Sequence, residues 1–157
     1  MKITIVGTGY VGLITGICLS SKGHQVIAVD INKKIVESIN KSKPHIHEKG
    51  LPELLKKVIS NKSFSATTSL EKALSLSEVV IIAVGTPSKN GDIDLSYVES
   101  VSEQIGKYMR TSKNKVAVIV KSTVVPGTTD NLVKRIIEKH SNLNHKTFGL
   151  GMNPEFL

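Results

Sequence analysis

With 157 residues, 39% of them hydrophobic, the chain has the size of one globular domain able to bury about two thirds of its unfolded surface. Its 21 Lys+Arg against 13 Asp+Glu leave a formal charge of +8, which suits an anionic partner, yet the absence of Trp and an aromatic content of 4% exclude the base-stacking platform of a single-strand nucleic-acid binder, so no nucleic-acid partner is expected. One cysteine rules out an internal disulfide, and no run reaches the length of a membrane span, so no membrane partner is expected and the chain reads as cytoplasmic.

Taken in order, the elements alternate between apolar strands and amphipathic helices. KITIVG at 2–7 is a β-branched strand; apolar residues at Val11, Ile14 and Cys18, with Leu13 and Ile17 beside them, then predict a helix over 10–23 with Cys18 turned to the core. HQVIAVD at 24–30 is a second strand, and 32–43 a helix with Ile35, Val36 and Ile39 on one face; 51–60 continues as helix after the Gly50 break. A short strand at 64–68 and a helix at 70–77 follow. VVIIAVG at 79–85 and VAVIV at 116–120 are nearly unbroken apolar runs, as strands require only when helices cover both faces of their sheet. Helices are predicted at 97–110 and 128–140, the second with Leu132, Val133, Ile136 and Ile137 inward, and a sixth strand at 147–152. The fold class is therefore α/β, a Rossmann-type doubly wound parallel sheet of about six strands with helices on both faces.

The first turn, GTGYVG, spaces Gly7, Gly9 and Gly12 as G-x-G-x-x-G between the first strand and its helix. Gly7 permits a tight turn, Gly9 lets a pyrophosphate approach the backbone, and Gly12 brings the helix close to the sheet, so that phosphates meet the amides and dipole of a helix N-terminus. The second strand ends on Asp30, roughly 20 residues on, where a carboxylate accepts from both hydroxyls of an adenosine ribose and repels a 2′-phosphate. This favours NAD over NADP; Lys33 and Lys34 nearby are either basic side chains that accommodate a 2′-phosphate or, the preferred reading with Asp30 in place, a solvated helix start. By residue type alone Thr123 is a turn or capping hydroxyl and Glu155 a surface charge.

Four further loop motifs, VGTP at 84–87, GDIDLSYV at 91–98, KSTVVPGTT at 121–129 and NPEFL at 153–157, together with GTGYVG and VDIN, resemble the UDP-glucose/GDP-mannose dehydrogenase family over the whole chain. The resemblance implies an NAD site that includes Tyr10 and Val11 in the glycine turn, Gly85, Thr86 and Pro87 along the cofactor, and Ser122 with Thr123 at the nicotinamide end. It assigns catalytic roles to Thr123, whose hydroxyl holds a water, and to Glu155, which assists proton transfer or activates water; Glu155, Phe156 and Leu157 belong to a segment that meets the sugar nucleotide. The basic residue that the family carries five positions after the aspartate is Ile35 here, with Lys34 beside it as the available substitute, and the family's second proline in the loop at 45–51 is Lys49. His45 and His47 in that loop have no third ligand in view, so no metal is expected.

The family oxidises a sugar C6 alcohol to a carboxylate with two NAD per turnover, through a thioester on a cysteine. Cys18 lies behind the glycine turn and is not that nucleophile; the resemblance puts the nucleophile, the connecting helix and the substrate domain beyond residue 157. The chain is thus expected as an NAD-binding domain over 1–157, inactive and monomeric by itself, from a homo-oligomeric UDP-glucose 6-dehydrogenase that makes UDP-glucuronate, a polysaccharide precursor. Phe156, where members acting on N-acetylated sugars tend to carry arginine, points to UDP-glucose or GDP-mannose. GDP-mannose and a non-catalytic NAD-binding module are the alternatives, and a β-hydroxyacid dehydrogenase fits GTGYVG but neither KSTVVPG nor NPEFL.

Overall fold

A computed structural model of the chain describes residues 1–89 and 91–155. In chain order it contains β1 (Lys2–Val6), α1 (Tyr10–Ser21), β2 (Gln25–Val29), α2 (Lys33–Asn40), α3 (Leu51–Ser60), β3 (Phe64–Thr67), α4 (Leu70–Ser75), β4 (Val79–Ile82), β5 (Ser88–Lys89), β6 (Asp92–Ile93), α5 (Ser96–Thr111), β7 (Ala117–Val120), α6 (Lys134–Ser141) and β8 (Leu150–Met152). Six strands pair in the order β3-β2-β1-β4-β7-β8, every pair parallel, while β5 and β6 form a small antiparallel hairpin. Register is continuous across the centre: Ile5 of β1 lies opposite Ala28 of β2 on one side and Ile81 of β4 on the other.

Alternation along the strands feeds two cores, one on each face. Ile3, Ile5, Val26, Ala28 and Ile81 pack with Leu13 and Ile17 of α1, Ile39 of α2 and Leu55 of α3. Val6, Val29, Val80, Ile82, Val118 and Val120 pack on the opposite face with Leu74 of α4, Ile105 of α5 and Ile137 of α6. The doubly wound sheet expected from the unbroken apolar runs is therefore present, and its winding direction reverses between β1 and β4. At such a reversal the crossovers leave in opposite directions and open a crevice beyond the carboxyl ends of the strands.

Three local expectations need correction. Cys18 is exposed, not turned to the core. The buried side of α1 is Gly12, Leu13, Gly16, Ile17 and Ser20: Leu13 and Ile17 anchor it, Gly16 and Ser20 complete it without any apolar signal, and Cys18 lies one residue, about 100°, past Ile17. The helix expected from 128 opens with a π-helical turn over Thr129–Val133, a wider coil that leaves Thr129 Oγ1 buried without a partner among the described residues. The last strand is shorter than the expected 147–152: a 3-10 turn occupies His145–Thr147, capped by the Asn144 side chain, and Phe148 enters the core before pairing starts at Leu150.

β3 lies at an edge of the sheet, where unpaired backbone invites other strands. Asn40, the last residue of α2, closes that edge: Nδ2 donates to the Ala66 carbonyl at 2.9 Å and Oδ1 accepts from the Ala66 amide at 2.8 Å. Asn40→Ala is expected to leave both half-buried groups without a protein partner, costing about 1–2 kcal/mol, which a thermal melt reads as a fall of roughly 2–8 °C in Tm.

Candidate cofactor cleft

The turn from β1 into α1 is shaped by backbone proximity. Gly7 has φ +98°, and a Cβ there would stand 2.5 Å from the Ala83 carbonyl oxygen; a Cβ on Gly12 would stand 2.0 Å from the carbonyl oxygen of Gly7. A side chain at either position would push the loops after β1 and β4 apart or lift α1 off the turn. Gly9 differs, with open space for at least 4 Å where a Cβ would point. It is the N-cap of α1 and offers no side-chain acceptor, and the first helical bond runs from the Leu13 amide to the Gly9 carbonyl at 2.9 Å. The amides of the first turn therefore remain available to an anion, with the positive end of the helix dipole behind them.

Asp30 stands where β2 ends, bound to this turn. Its Oδ2 accepts from the Thr8 amide at 3.1 Å and from the Thr8 hydroxyl at 2.5 Å, and its Oδ1 accepts from the Asn32 amide at 2.9 Å. A carboxylate has about four acceptor positions, so one stays open, on Oδ1. A grip on both ribose hydroxyls therefore requires Thr8 to release its share of Oδ2. Sequence reading missed Thr8, which is fully buried; a hydroxyl inside the glycine motif was the available signal.

A cleft of about 500 Å3 opens beyond the reversal point. Of the residues singled out from the sequence, Gly7, Gly9, Tyr10, Val11, Asp30, Gly85, Thr86, Ser122 and Thr123 line it. Gly12 is buried behind the turn. Lys34 and Pro87 do not line it: Lys34 is exposed on the first turn of α2, its amide held by the Asn32 side chain at 3.0 Å, and Pro87 is exposed, its carbonyl accepting the Asp94 amide at 2.8 Å. The opposite wall, unforeseen, comes from α5 through Tyr97, Ser100, Val101 and Gln104, and Ile31 stands at the rim 91% exposed. Among the described residues the lining carries no lysine or arginine. The excess positive charge of the chain is elsewhere, and a pyrophosphate here would be held by main-chain amides.

Tyr10 reaches from the rim to the loop before α3, its hydroxyl donating to Glu48 Oε2. That hydroxyl, and after it the Lys49 amide, hold the Glu48 carboxyl below its ordinary value, while the same bond to Glu48 raises Tyr10. With the folded value lowered, this contact contributes above the ordinary carboxylate range and is lost as acid protonates Glu48. His45 and His47 in the same loop are exposed, and no group of three or more metal-ligating side chains occurs among the described residues.

At the far end of the cleft the loops after β4, β7 and β8 are tied together. Ser122 Oγ donates to the Val84 carbonyl at 2.7 Å, Thr86 Oγ1 to the Thr123 carbonyl at 2.7 Å, and Thr123 Oγ1 to the Glu155 carbonyl at 3.3 Å. Glu155 is no loose surface charge: its Oε2 lies 2.8 Å from Nζ of Lys121, which also donates to Asn153 Oδ1 at 3.1 Å. Lys121 escaped sequence reading because it follows an apolar strand and precedes the Ser-Thr pair that drew attention. Phe156 and Leu157 lie outside the described residues. No described helix is long and apolar enough to cross a membrane.

Comparison with known proteins bears on this site directly. The model of the UDP-glucose/GDP-mannose dehydrogenase family, NAD binding domain, matches residues 1–157. The GDP-mannose 6-dehydrogenase of Pseudomonas aeruginosa is 45% identical over 159 residues, taking in 100% of this chain and 36% of that protein. The UDP-glucose 6-dehydrogenase TuaD of Bacillus subtilis is 37% identical over 157 residues, with 99% of this chain and 33% of that protein covered. Among solved structures, a ternary complex of GDP-mannose dehydrogenase from Pseudomonas aeruginosa superposes with a TM-score of 0.97 at 45% identity, covering 100% of this chain and 36% of that one. The chain spans about a third of the length of these relatives. A match running from the first residue to the last, on a sheet whose reversal-point cleft lies open beside a bare glycine turn, means that the chain belongs to the UDP-glucose/GDP-mannose dehydrogenase family and carries its NAD-binding domain.

Proposed function

We propose that residues 1–157 are the cofactor half of an NAD-dependent dehydrogenase that oxidises the C6 alcohol of a nucleotide sugar to a carboxylate. The observation carrying this reading is the junction, in one cleft, of an unobstructed helix N-terminus and Asp30 with Thr123, whose hydroxyl meets the backbone carbonyl of Glu155, a residue outside the lining of that cleft. Bound NAD supplies the acceptor for the hydride that leaves the sugar carbon. The amides of the glycine turn hold the pyrophosphate, and Asp30 selects a ribose without a 2′-phosphate. Thr123 and Glu155 stand at the reacting end, the hydroxyl placed to hold a water and the carboxylate to receive the alcohol proton or orient that water. Glu155, Phe156 and Leu157 begin the segment that meets the sugar.

The chain spans about a third of the length of its relatives; on this reading the rest of the sugar site and the nucleophile of the second oxidation belong to a further domain, in a homo-oligomeric, cytoplasmic enzyme. GDP-mannose is the substrate we favour, on the 42% to 45% identity of the GDP-mannose 6-dehydrogenases. UDP-glucose, toward which the sequence reading leaned, is supported by relatives at 37% and 38%. In the full-length enzyme, absorbance at the NADH band is expected to rise with one of these sugars and not with the other. Residues 1–157 alone are expected to bind NAD and to make no NADH from either. Turnover by residues 1–157 alone would contradict the division of labour, and an inactive full-length enzyme would contradict the reaction.

A further inference from the structure

Lys121 is the only charged residue in the buried set of the described residues, at 9% exposure. An unpaired buried charge is costly, and a buried ion pair is often no more stabilising than an apolar pair of the same volume, so its presence at the end of a central strand calls for a reason other than stability. Its two partners supply that reason. Nζ holds Glu155 Oε2 at 2.8 Å and Asn153 Oδ1 at 3.1 Å, while the backbone of the same segment is anchored separately, the Asn153 amide to the Val120 carbonyl at 2.9 Å and the Glu155 carbonyl to Thr123 Oγ1 at 3.3 Å. The main chain therefore stays in place without the lysine; what the lysine adds is the direction of the carboxylate. The Glu155 side chain is 40% exposed, and only its Oε2 is the oxygen bound by the lysine.

We infer that Lys121 is a positioning residue: its buried ammonium fixes the Glu155 carboxylate beside Thr123, so that the oxygen not bound to the lysine faces the reacting end of the cleft. The inference rests on the dehydrogenase reading above and adds to it a residue that never touches cofactor or sugar. It also accounts for a carboxylate near the end of a strand-edge loop being held in one place: a long side chain on a surface loop samples several rotamers, and an ammonium anchored in the sheet selects one. Misplacement by about 1 Å of a group at a reacting centre costs on the order of 100-fold in rate.

The test compares Lys121→Met, Lys121→Arg, Glu155→Gln and the Lys121→Met/Glu155→Gln double variant in the full-length enzyme, with NAD and whichever of GDP-mannose or UDP-glucose the wild type oxidises. Lys121→Met is expected to lower kcat about 100-fold with KM for NAD unchanged. Lys121→Arg, which keeps a donor for the carboxylate, is expected to recover most of the rate. The double variant is expected to be no slower than the worse single one, since both remove the same placed carboxylate. Additive losses, or a Lys121→Met enzyme with a raised KM for NAD and an intact kcat, would overturn the inference. A crystal structure of Lys121→Met in residues 1–157 reads the placement without any reaction: the Glu155 carboxylate is expected to leave its position, while hydrogen exchange at the Asn153 amide stays within about twofold of the wild type because the backbone anchors remain. A carboxylate that keeps its place in Lys121→Met overturns the inference whatever the kinetics, as does a general rise in exchange across the segment, which would make the lysine a holder of the main chain. A wild type inactive on both sugars overturns the dehydrogenase reading instead, and leaves the position of the carboxylate to decide what Lys121 does.

Discussion

Gly12→Ala is expected to lose NAD binding and stability together, whereas Gly9→Ala loses binding alone. The two substitutions add the same methyl group three residues apart, and the difference lies in what each methyl meets. At Gly12 it arrives 2.0 Å from the carbonyl oxygen of Gly7, a backbone atom that cannot swing aside. Either α1 lifts or the turn deforms, at about 1–3 kcal/mol for forced overpacking, which thermal melting reads as a fall of roughly 2–12 °C in Tm. The first-turn amides move with the helix, and NAD affinity is expected to drop about 100-fold or more, since each tenfold is only about 1.4 kcal/mol. At Gly9 the backbone, with φ −62° and ψ −171°, is one that alanine adopts freely, and no atom lies within 4 Å of the new methyl. The variant is expected to melt like the wild type. Its methyl occupies the open space in front of the helix start, so calorimetric titration should show a loss of roughly 10- to 100-fold in NAD affinity. Wild-type affinity in Gly9→Ala would mean that the pyrophosphate does not sit over this turn.

Asp30→Arg is expected to reduce NAD affinity by about 10- to 100-fold and to move the preference toward NADP, because the ribose loses an acceptor and a 2′-phosphate gains a cation. The structure adds a second cost. Asp30 is the acceptor for both the amide and the hydroxyl of the fully buried Thr8, and for the Asn32 amide at the start of α2. Removing the carboxylate strips Thr8 of these partners, worth about 1–3 kcal/mol, and Tm falls with affinity. Asp30→Asn separates the two roles: it keeps one acceptor oxygen, loses the charge, and is expected to retain more stability than Asp30→Arg while still binding NAD less well than the wild type. A wild type that prefers NADP would remove Asp30 from its assigned role.

Local chemistry made much of this molecule legible. The unbroken apolar runs at 79–85 and 116–120 identified strands covered on both faces, and β4 and β7 stand in that situation, with Val80, Ile82, Val118 and Val120 in one core. The glycine spacing located the turn between β1 and α1, where Gly7 and Gly12 answer short-range steric demands and Gly9 leaves open space, and Asp30 followed because a strand of known start ends at a countable distance. The Cys18 error came from the same kind of reasoning where it is weak. α1 packs on the sheet through Leu13 and Ile17 together with Gly16 and Ser20, and because the last two carry no apolar signature the buried face was not separable from the neighbouring one that holds Cys18.

What the sequence by itself determined, then, is the alternation of elements, the parallel sheet and the glycine turn at the start of α1, since all three follow from periodicity and from contacts between neighbours in the chain. Only the tertiary structure decided that Tyr97, Ser100, Val101 and Gln104 of α5 form the second wall of the cleft, that Thr8 binds Oδ2 of Asp30 through both its amide and its hydroxyl, and that Lys121 meets Glu155 from 34 positions away. These contacts join residues brought together by the order β3-β2-β1-β4-β7-β8, and no periodicity along one segment encodes which side chain of another strand-end loop will stand within 3 Å of it.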